Sequence, residues 1–246
     1  MARHQVSGIA GTLEVVKDAA ALAERAVEII AGQLRAAQYP FRLVLSGGST
    51  PRAAYQLLGT RQIDWDCAEL FFSDERFVPP DHPDSNYRMV RENLLAGGQV
   101  NPRKVLAIPT DGEPQSAADR YEETLRQQYG AGTLELGVPL FHFTLLGLGD
   151  DGHTASLLPG QPVLAERDRW VAVVPKGRPE PRISLTYPAL ESSERILFLV
   201  SGAGKRDALA QARAGIGPAG GIKPQGEVLW LVDQAAAGED DQGYGF

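Results

Sequence analysis

Cysteine is almost absent from this chain: Cys67 stands alone among 246 residues. No intramolecular disulfide and no cysteine-based zinc site can be built from it, so it reads as a small buried hydrophobe. Positive charge is in deficit as well, with 24 Lys and Arg against 31 Asp and Glu and a formal net charge of −7. That balance argues against general attraction to nucleic acid or to an anionic membrane. Long apolar runs are missing too. Stretches such as Ile196 to Val200 and Val228 to Val232 are strand-sized and far too short to span a bilayer. At the N-terminus Ser7, Gly8 and Gly11 interrupt the apolar residues, and no signal peptide is expected. No linker of Pro, Gly or Ser repeats and no internal repeat divides the chain. With 43% hydrophobic and 22% charged residues, 1–246 reads as one globular domain. The expectation is a cytoplasmic protein with no nucleic-acid or membrane partner, its oligomeric state open but a monomer favoured. An acidic protein that binds a small anion must build the site locally, from backbone N–H groups and a few placed Arg or Lys side chains.

Residues 18–37 carry Leu22, Ala23, Ala26, Val27, Ile30 and Leu34 at amphipathic-helix spacing. The pattern then changes. Phe41 to Leu45 is a short apolar run ended by Ser46-Gly47-Gly48-Ser49-Thr50-Pro51 and followed by a helical stretch, Arg52 to Leu58. The same unit recurs: Leu70 to Phe72 ends at Ser73-Asp74-Glu75-Arg76, Phe141 to Leu146 at Gly147, and Ile196 to Val200 at Ser201-Gly202-Ala203-Gly204-Lys205. Further helices are expected near 86–95, 116–129 and 205–213, and strands near 104–108, 170–174, 183–187 and 227–232. Alternating strands and helices predict an α/β fold, a mostly parallel sheet with helices on both faces in a Rossmann-like arrangement. Residues 215–226 read as a flexible connection and 234–246 as a frayed tail. Ligands of open α/β sheets bind at the carboxyl ends of strands, so the four strand-end clusters should converge on one crevice.

Ser46-Gly47-Gly48-Ser49-Thr50-Pro51 offers glycines for backbone approach, hydroxyl donors and a Pro suited to a first helical turn, together an anion cradle at a helix N-terminus. Taken alone it reads equally as a plain turn with Ser49 or Thr50 as helix cap. Neither it nor the 201–205 turn ends in the Gly-Lys-Ser/Thr of nucleotide hydrolases. Lys205 nonetheless opens a helix facing the crevice, where a cation meets a phosphate. Gly147-Leu148-Gly149-Asp150-Asp151-Gly152 matches the dinucleotide fingerprint literally. Two carboxylates lie where a pyrophosphate needs positive potential, and the fingerprint belongs to the first βα unit, so nicotinamide binding is rejected. What the turn offers is Asp151 two residues from His153, a carboxylate that orients an imidazole for general-base work. Asp74, Glu75 and Arg76 are suited to orienting sugar hydroxyls or binding charge beside the Pro-rich loop 77–87. His82 and its neighbouring Asp residues have no evident metal-ligand spacing, and no G-x-S-x-G supports a serine nucleophile.

Together these clusters resemble the glucosamine-6-phosphate isomerase/6-phosphogluconolactonase superfamily, on its lactonase side. The resemblance runs through most of the chain. It rests on Leu45 to Pro51, Asp74-Glu75-Arg76 with Ser85-Asn86-Tyr87, Gly147 to Leu157, Arg182-Ile183-Ser184-Leu185-Thr186, and Gly204-Lys205. The deaminases of the superfamily carry segments like DEY and GHIAFNEP. Here Arg76 replaces the tyrosine, and Thr154 to Pro159 replaces IAFNEP, so the glutamate after the histidine is missing. Lys176-Gly177-Arg178-Pro179-Glu180-Pro181 departs from the SPKPP-like wording of lactonases but keeps basic character.

The resemblance implies hydrolysis of a 6-phosphogluconolactone without cofactor or metal, with His153 as base, Asp151 holding its ring and Arg76 meeting the oxyanion. It further implies substrate and phosphate contacts from Gly47, Gly48, Ser49, Thr50, Asp74, Glu75, Arg182 and Lys205. A deaminase-like isomerase and a non-catalytic sugar-phosphate sensor are the alternatives. The first would release ammonia from glucosamine 6-phosphate, and the second would bind without turnover.

Overall fold

The computed structural model describes residues 11–37 and 40–238. Its centre is a six-stranded, all-parallel sheet of order β1-β9-β8-β5-β2-β3. The strands are β1 (Thr12–Val16), β2 (Phe41–Leu45), β3 (Ala68–Phe72), β5 (Phe143–Gly147), β8 (Arg195–Val200) and β9 (Glu227–Asp233). Continuous apolar runs form them because both faces are covered, as in most parallel sheets. In β8 every residue after Arg195 is buried, and Phe198 stacks on Trp230 of β9 with centroids 4.0 Å apart.

Helix α1 (Ala19–Ala36) begins at Asp18, whose carboxylate accepts the Ala21 N–H at 2.9 Å. It buries Leu22, Ala23, Ala26, Val27, Ile30 and Leu34, the stripe its spacing predicts. Helices α2 (Ser49–Thr60), α3 (Asn86–Asn93), α4 (Pro114–Tyr129) and α6 (Arg206–Arg213) fall near their expected places. Shorter ones, α5 (Tyr187–Glu191), α7 (Gly217–Gly220) and α8 (Gln234–Ala237), were not read from the sequence.

Several expectations need correction. A second sheet of order β4-β7-β6 is antiparallel, made of β4 (Asp74–Arg76), β6 (Val171–Val174) and β7 (Arg182–Leu185). Residues 104–108 form no strand, only a bridge from Val105 to Leu70, because Pro102 and Pro109 limit pairing on both sides. Strand β1 was missed. Residues 215–226 are an ordered connection: the Tyr187 hydroxyl donates to the Pro218 carbonyl at 2.8 Å, and the Ala219 N–H donates to Gly152 at 3.0 Å. At 234–237 the supposed tail is helical, capped by the Asp233 carboxylate, and the rest of it, 239–246, lies outside the described residues. So do residues 1–10, on which the signal-peptide reading rests. No described helix is long and apolar enough to cross a membrane.

Two buried phenols tie the strand ends. Tyr55 of α2 donates to the Ser46 carbonyl at 2.9 Å and accepts the Ser46 N–H at 3.0 Å. Tyr121 of α4 does the same for Phe72, at 3.1 and 2.9 Å. Removing either hydroxyl leaves a buried N–H and C=O unpaired, which costs about 1–3 kcal/mol. Tyr55→Phe and Tyr121→Phe are therefore each expected to lower unfolding free energy by that amount in urea titration, with an unchanged slope.

Candidate active site

The four strand-end turns meet. Ser46 to Pro51 after β2, Asp74 and Arg76 on β4, Gly147 to Gly149 with His153 to Ala155 after β5, and Ser201 and Lys205 after β8 line one cleft of about 250 Å³, joined by Asn86, Arg182 and Leu199. A larger cavity of about 740 Å³ opens at the amino ends of β1, β8 and β9. Its charged lining residues are already paired, Arg195 with Glu227 at 2.8 Å and Glu14 with Arg25 at 2.5 Å.

In the β2 turn the helix cap is neither Ser49 nor Thr50. Gly48 takes that position at φ 107°, which a side chain would resist, and no side chain caps the helix. Ser49 and Thr50 instead form the first turn of α2, where backbone N–H groups lack intrahelical partners and attract an anion. Asn86 lies so close to Gly47 that a β-carbon there would sit 2.0 Å from its Oδ1, and its amide donates to the Asp74 carbonyl at 2.9 Å.

The small antiparallel sheet sets Arg76 directly opposite Arg182. Both Nε atoms are buried without a hydrogen-bond partner, as is the Ser46 hydroxyl, and all three side chains line the cleft. Burial pushes the Arg182 pKa down, and the Asp74 carboxylate pulls it back up. Asp74 is itself buried and accepts the Ser156 hydroxyl at 2.6 Å. Two cations on paired positions repel, and an anion between them converts that repulsion into attraction. Arg76 also donates to the Asp84 carbonyl, anchoring the loop 77–87.

Glu75 does not belong to this cleft. Its carboxylate accepts the N–H groups of Asn86, Tyr87 and Arg76 at 2.7, 2.7 and 2.8 Å and the Ser85 hydroxyl at 3.1 Å. It is 2% exposed and does not line the cavity. Alternation along β4 sends Glu75 to the face opposite Asp74 and Arg76, where it serves the N-terminus of α3.

Asp151 holds His153 directly. One carboxylate oxygen meets the ring Nδ1 and also accepts the His153 N–H at 3.2 Å, and the other accepts from Arg178 at 2.8 Å. Burial favours the neutral acid, yet the hydrogen bonds from Arg178 and His153 outweigh it and hold the Asp151 pKa well below the usual carboxylate range. With Nδ1 occupied, Nε2 is the ring nitrogen left for chemistry. Lys205 lies 2.6 Å from the Asp150 carboxylate, which is 77% exposed at the rim. Its turn is fixed by Asp233, which accepts the Ser201 hydroxyl at 2.5 Å and the Gly202 N–H at 3.0 Å.

The structure thus brings together Gly47, Gly48, Ser49, Thr50, Asp74, Arg76, His153, Arg182 and Lys205. Asp151 stands behind His153, and Glu75 is excluded. Sequence reasoning quoted Ser46, Asn86 and Ser156 only inside longer motifs without a role of their own, and missed Asp233. Ala155, also lining the cleft, adopts φ 48°, a strained backbone of the kind functional sites retain.

Such a fold and site define an α/β protein whose cleft sets a helix N-terminus and three cationic side chains beside a carboxylate-held histidine. The chain belongs to the glucosamine-6-phosphate isomerase/6-phosphogluconolactonase family, whose model matches residues 17–230. It is 40% identical over 237 residues to the 6-phosphogluconolactonase of Nostoc sp., covering 93% of this chain and 98% of that protein. The rat 6-phosphogluconolactonase is 35% identical over 233 residues, covering 89% and 88%. A solved 6-phosphogluconolactonase from Trypanosoma cruzi superposes with a TM-score of 0.84 at 26% identity, covering 97% of this chain and 99% of that one. A monomeric glucosamine-6-phosphate deaminase shares the fold alone, with a TM-score of 0.76 at 21% identity and coverage of 92% and 98%.

The dyad depends on Gly149. A β-carbon there would lie 2.0 Å from the His153 Nδ1 and 2.7 Å from the Asp151 Oδ1. Because both obstructed groups are side chains able to swing away, Gly149→Ala should keep the fold, with Tm within a few degrees, and lose the dyad. The expected fall in kcat is about 10²-fold, the scale of an approximately 1 Å misplacement at a reacting group, measured beside a melting curve.

Proposed function

We propose that this protein hydrolyses 6-phospho-D-glucono-1,5-lactone to 6-phospho-D-gluconate, the second step of the oxidative pentose phosphate pathway. The observation that carries the reading is that His153, turned by Asp151, faces the same cleft as Ser49, Thr50, Arg182 and Lys205. The printed names of the Nostoc, rat and Trypanosoma relatives agree with it.

In this mechanism the phosphate rests on the N-terminus of α2, with Lys205 and Arg182 supplying charge. His153 Nε2 removes a proton from water as its oxygen attacks the lactone carbonyl carbon. The carbonyl oxygen becomes an oxyanion, which Arg76 stabilises through donors already buried in place. Collapse of the tetrahedral intermediate breaks the bond to the ring oxygen, and His153 returns the proton there. The products are a carboxylate and a free hydroxyl, the carboxylic acid proton passing to solvent. Asp74 accepts from a sugar hydroxyl. A lactone is an activated ester, so a base, an oxyanion partner and a phosphate grip are sufficient.

A deaminase reading is disfavoured by Leu158, which stands where the deaminase-like segment has its glutamate and is only 2% exposed. Cytoplasmic location and a monomeric state belong to the same proposal. The lone Cys67 fits a reducing compartment, although some plant relatives are named chloroplastic.

With freshly made lactone and the uncatalysed rate subtracted, His153→Ala should lower kcat by about 10² to 10⁴, the range of a general base. Wild-type turnover no faster than background, or ammonia release from glucosamine 6-phosphate, would reject the proposal. Lys205→Ala should raise KM about tenfold, as expected for loss of one charge-assisted contact of roughly 1.5 kcal/mol, with kcat changed much less. An unchanged KM would remove Lys205 from the phosphate grip.

A further inference from the structure

We infer that Arg178 is a positioning residue: it grips the second carboxylate oxygen of Asp151 beside the histidine and keeps the His153 ring unprotonated, ready to accept a proton. This rests on the lactonase reading and deepens it.

Arg178 lies in the loop between β6 and β7, and its side chain turns back across the β5 turn. One terminal nitrogen is 2.8 Å from the second carboxylate oxygen of Asp151 and 3.4 Å from the Nδ1 of His153. The other terminal nitrogen donates to the Gly177 carbonyl at 2.9 Å, which fixes the fork. Gly177, at φ 94°, packs its Cα region against Leu158 and Gln161, so the loop is seated on the segment that follows His153. Arg178 is not among the residues lining the cleft. It meets the dyad through Asp151, beside the cleft.

An isolated Asp beside His stabilises the charged imidazolium, which has no lone pair left to take a proton. A fixed cation against both partners offsets that effect. It competes for the carboxylate and repels a proton on the ring. Other charges around the group are Asp150 on the same turn, Lys205 paired with Asp150 at 2.6 Å, Arg182 at the start of β7, Glu180 3.9 Å from Arg182, and Lys176 on the same loop. Arg182 is close enough to Arg178 to feel its charge as repulsion. Among these, only Arg178 touches both members of the dyad.

The direct test is the ring titration of His153 by NMR, with His153→Ala identifying its signal among the four histidines. Arg178→Ala should move the midpoint up by about half to one pH unit, the scale of a partly exposed charge at this distance. The acid limb of kcat/KM should move with it, so that activity near pH 6 falls about 3- to 10-fold. Arg178→Lys, which keeps the charge, should recover part of both shifts, and Asp151→Asn should move the midpoint down. A His153 midpoint and acid limb that do not move in Arg178→Ala overturn the inference. So does a raised KM with an unmoved titration, which assigns Arg178 to substrate contact. If the wild-type protein does not turn over lactone, the lactonase reading fails, and the NMR titration still decides the role of Arg178.

Discussion

Everything in the cleft depends on the level at which parallel strands stop. Leu45 pairs with Phe72 across β2 and β3, Gly147 with Leu199 across β5 and β8, and Val200 with Val232 across β8 and β9. The chain therefore leaves neighbouring strands at one height, and its turns emerge side by side. Between β2 and β5 the direction of connection reverses: the chain runs from β2 outward to β3, then returns to β5 on the other side. That reversal leaves a gap between adjacent turns where a ligand fits. Tyr55 holds the β2 rim of the gap and Tyr121 the end of neighbouring β3, and burial pushes both phenol pKa values up, so each hydroxyl stays neutral and able to donate and accept at once.

Electrostatics inside the gap run opposite to the charge of the whole molecule. Overall the chain carries −7, yet the cleft gathers Arg76, Arg182 and Lys205 around a single buried acid, Asp74. Charges elsewhere on the surface are screened within about 8–10 Å at physiological salt, so the local set decides what enters. Each cation is also held in advance. Lys205 leans on Asp150, Arg76 on the Asp84 carbonyl, and Arg182 feels Asp74. Side chains already ordered lose less rotamer freedom when an anion arrives.

The legible part of this protein was the part encoded locally. The α1 stripe, the apolar strands and the glycine turns each declare themselves within a few residues, and the rule that ligands gather at strand carboxyl ends linked them. What stayed hidden was long-range pairing. Nothing near Arg76 in sequence indicates that it will sit opposite Arg182, because antiparallel register is set by contacts more than a hundred residues apart. Glu75 was misplaced for a related reason. Read as a run, Asp74-Glu75-Arg76 looks like one charged cluster, but strand alternation sends the middle residue to the other face, where α3 needs an acceptor. Asp233 and Ser156 carry no local signal, since their partners Gly202 and Asp74 come from distant turns.

The Gly147 to Gly152 turn shows why a motif constrains space before it constrains chemistry. In a dinucleotide-binding turn the second glycine leaves room for a pyrophosphate. Here Gly149 leaves the same room, and the ring of His153 occupies it. The two acids of the turn then point to different tasks, Asp150 toward Lys205 and Asp151 toward His153. They are consecutive residues, so the phosphate grip and the base are coupled through one peptide unit. In the proposed reaction this fixes the span between the phosphate and the carbonyl under attack. A substrate in which the two lie closer together or farther apart would satisfy one end of the cleft and miss the other. In the proposed reaction the Gly147 to Gly152 turn therefore contributes to matching the length of the phosphorylated lactone.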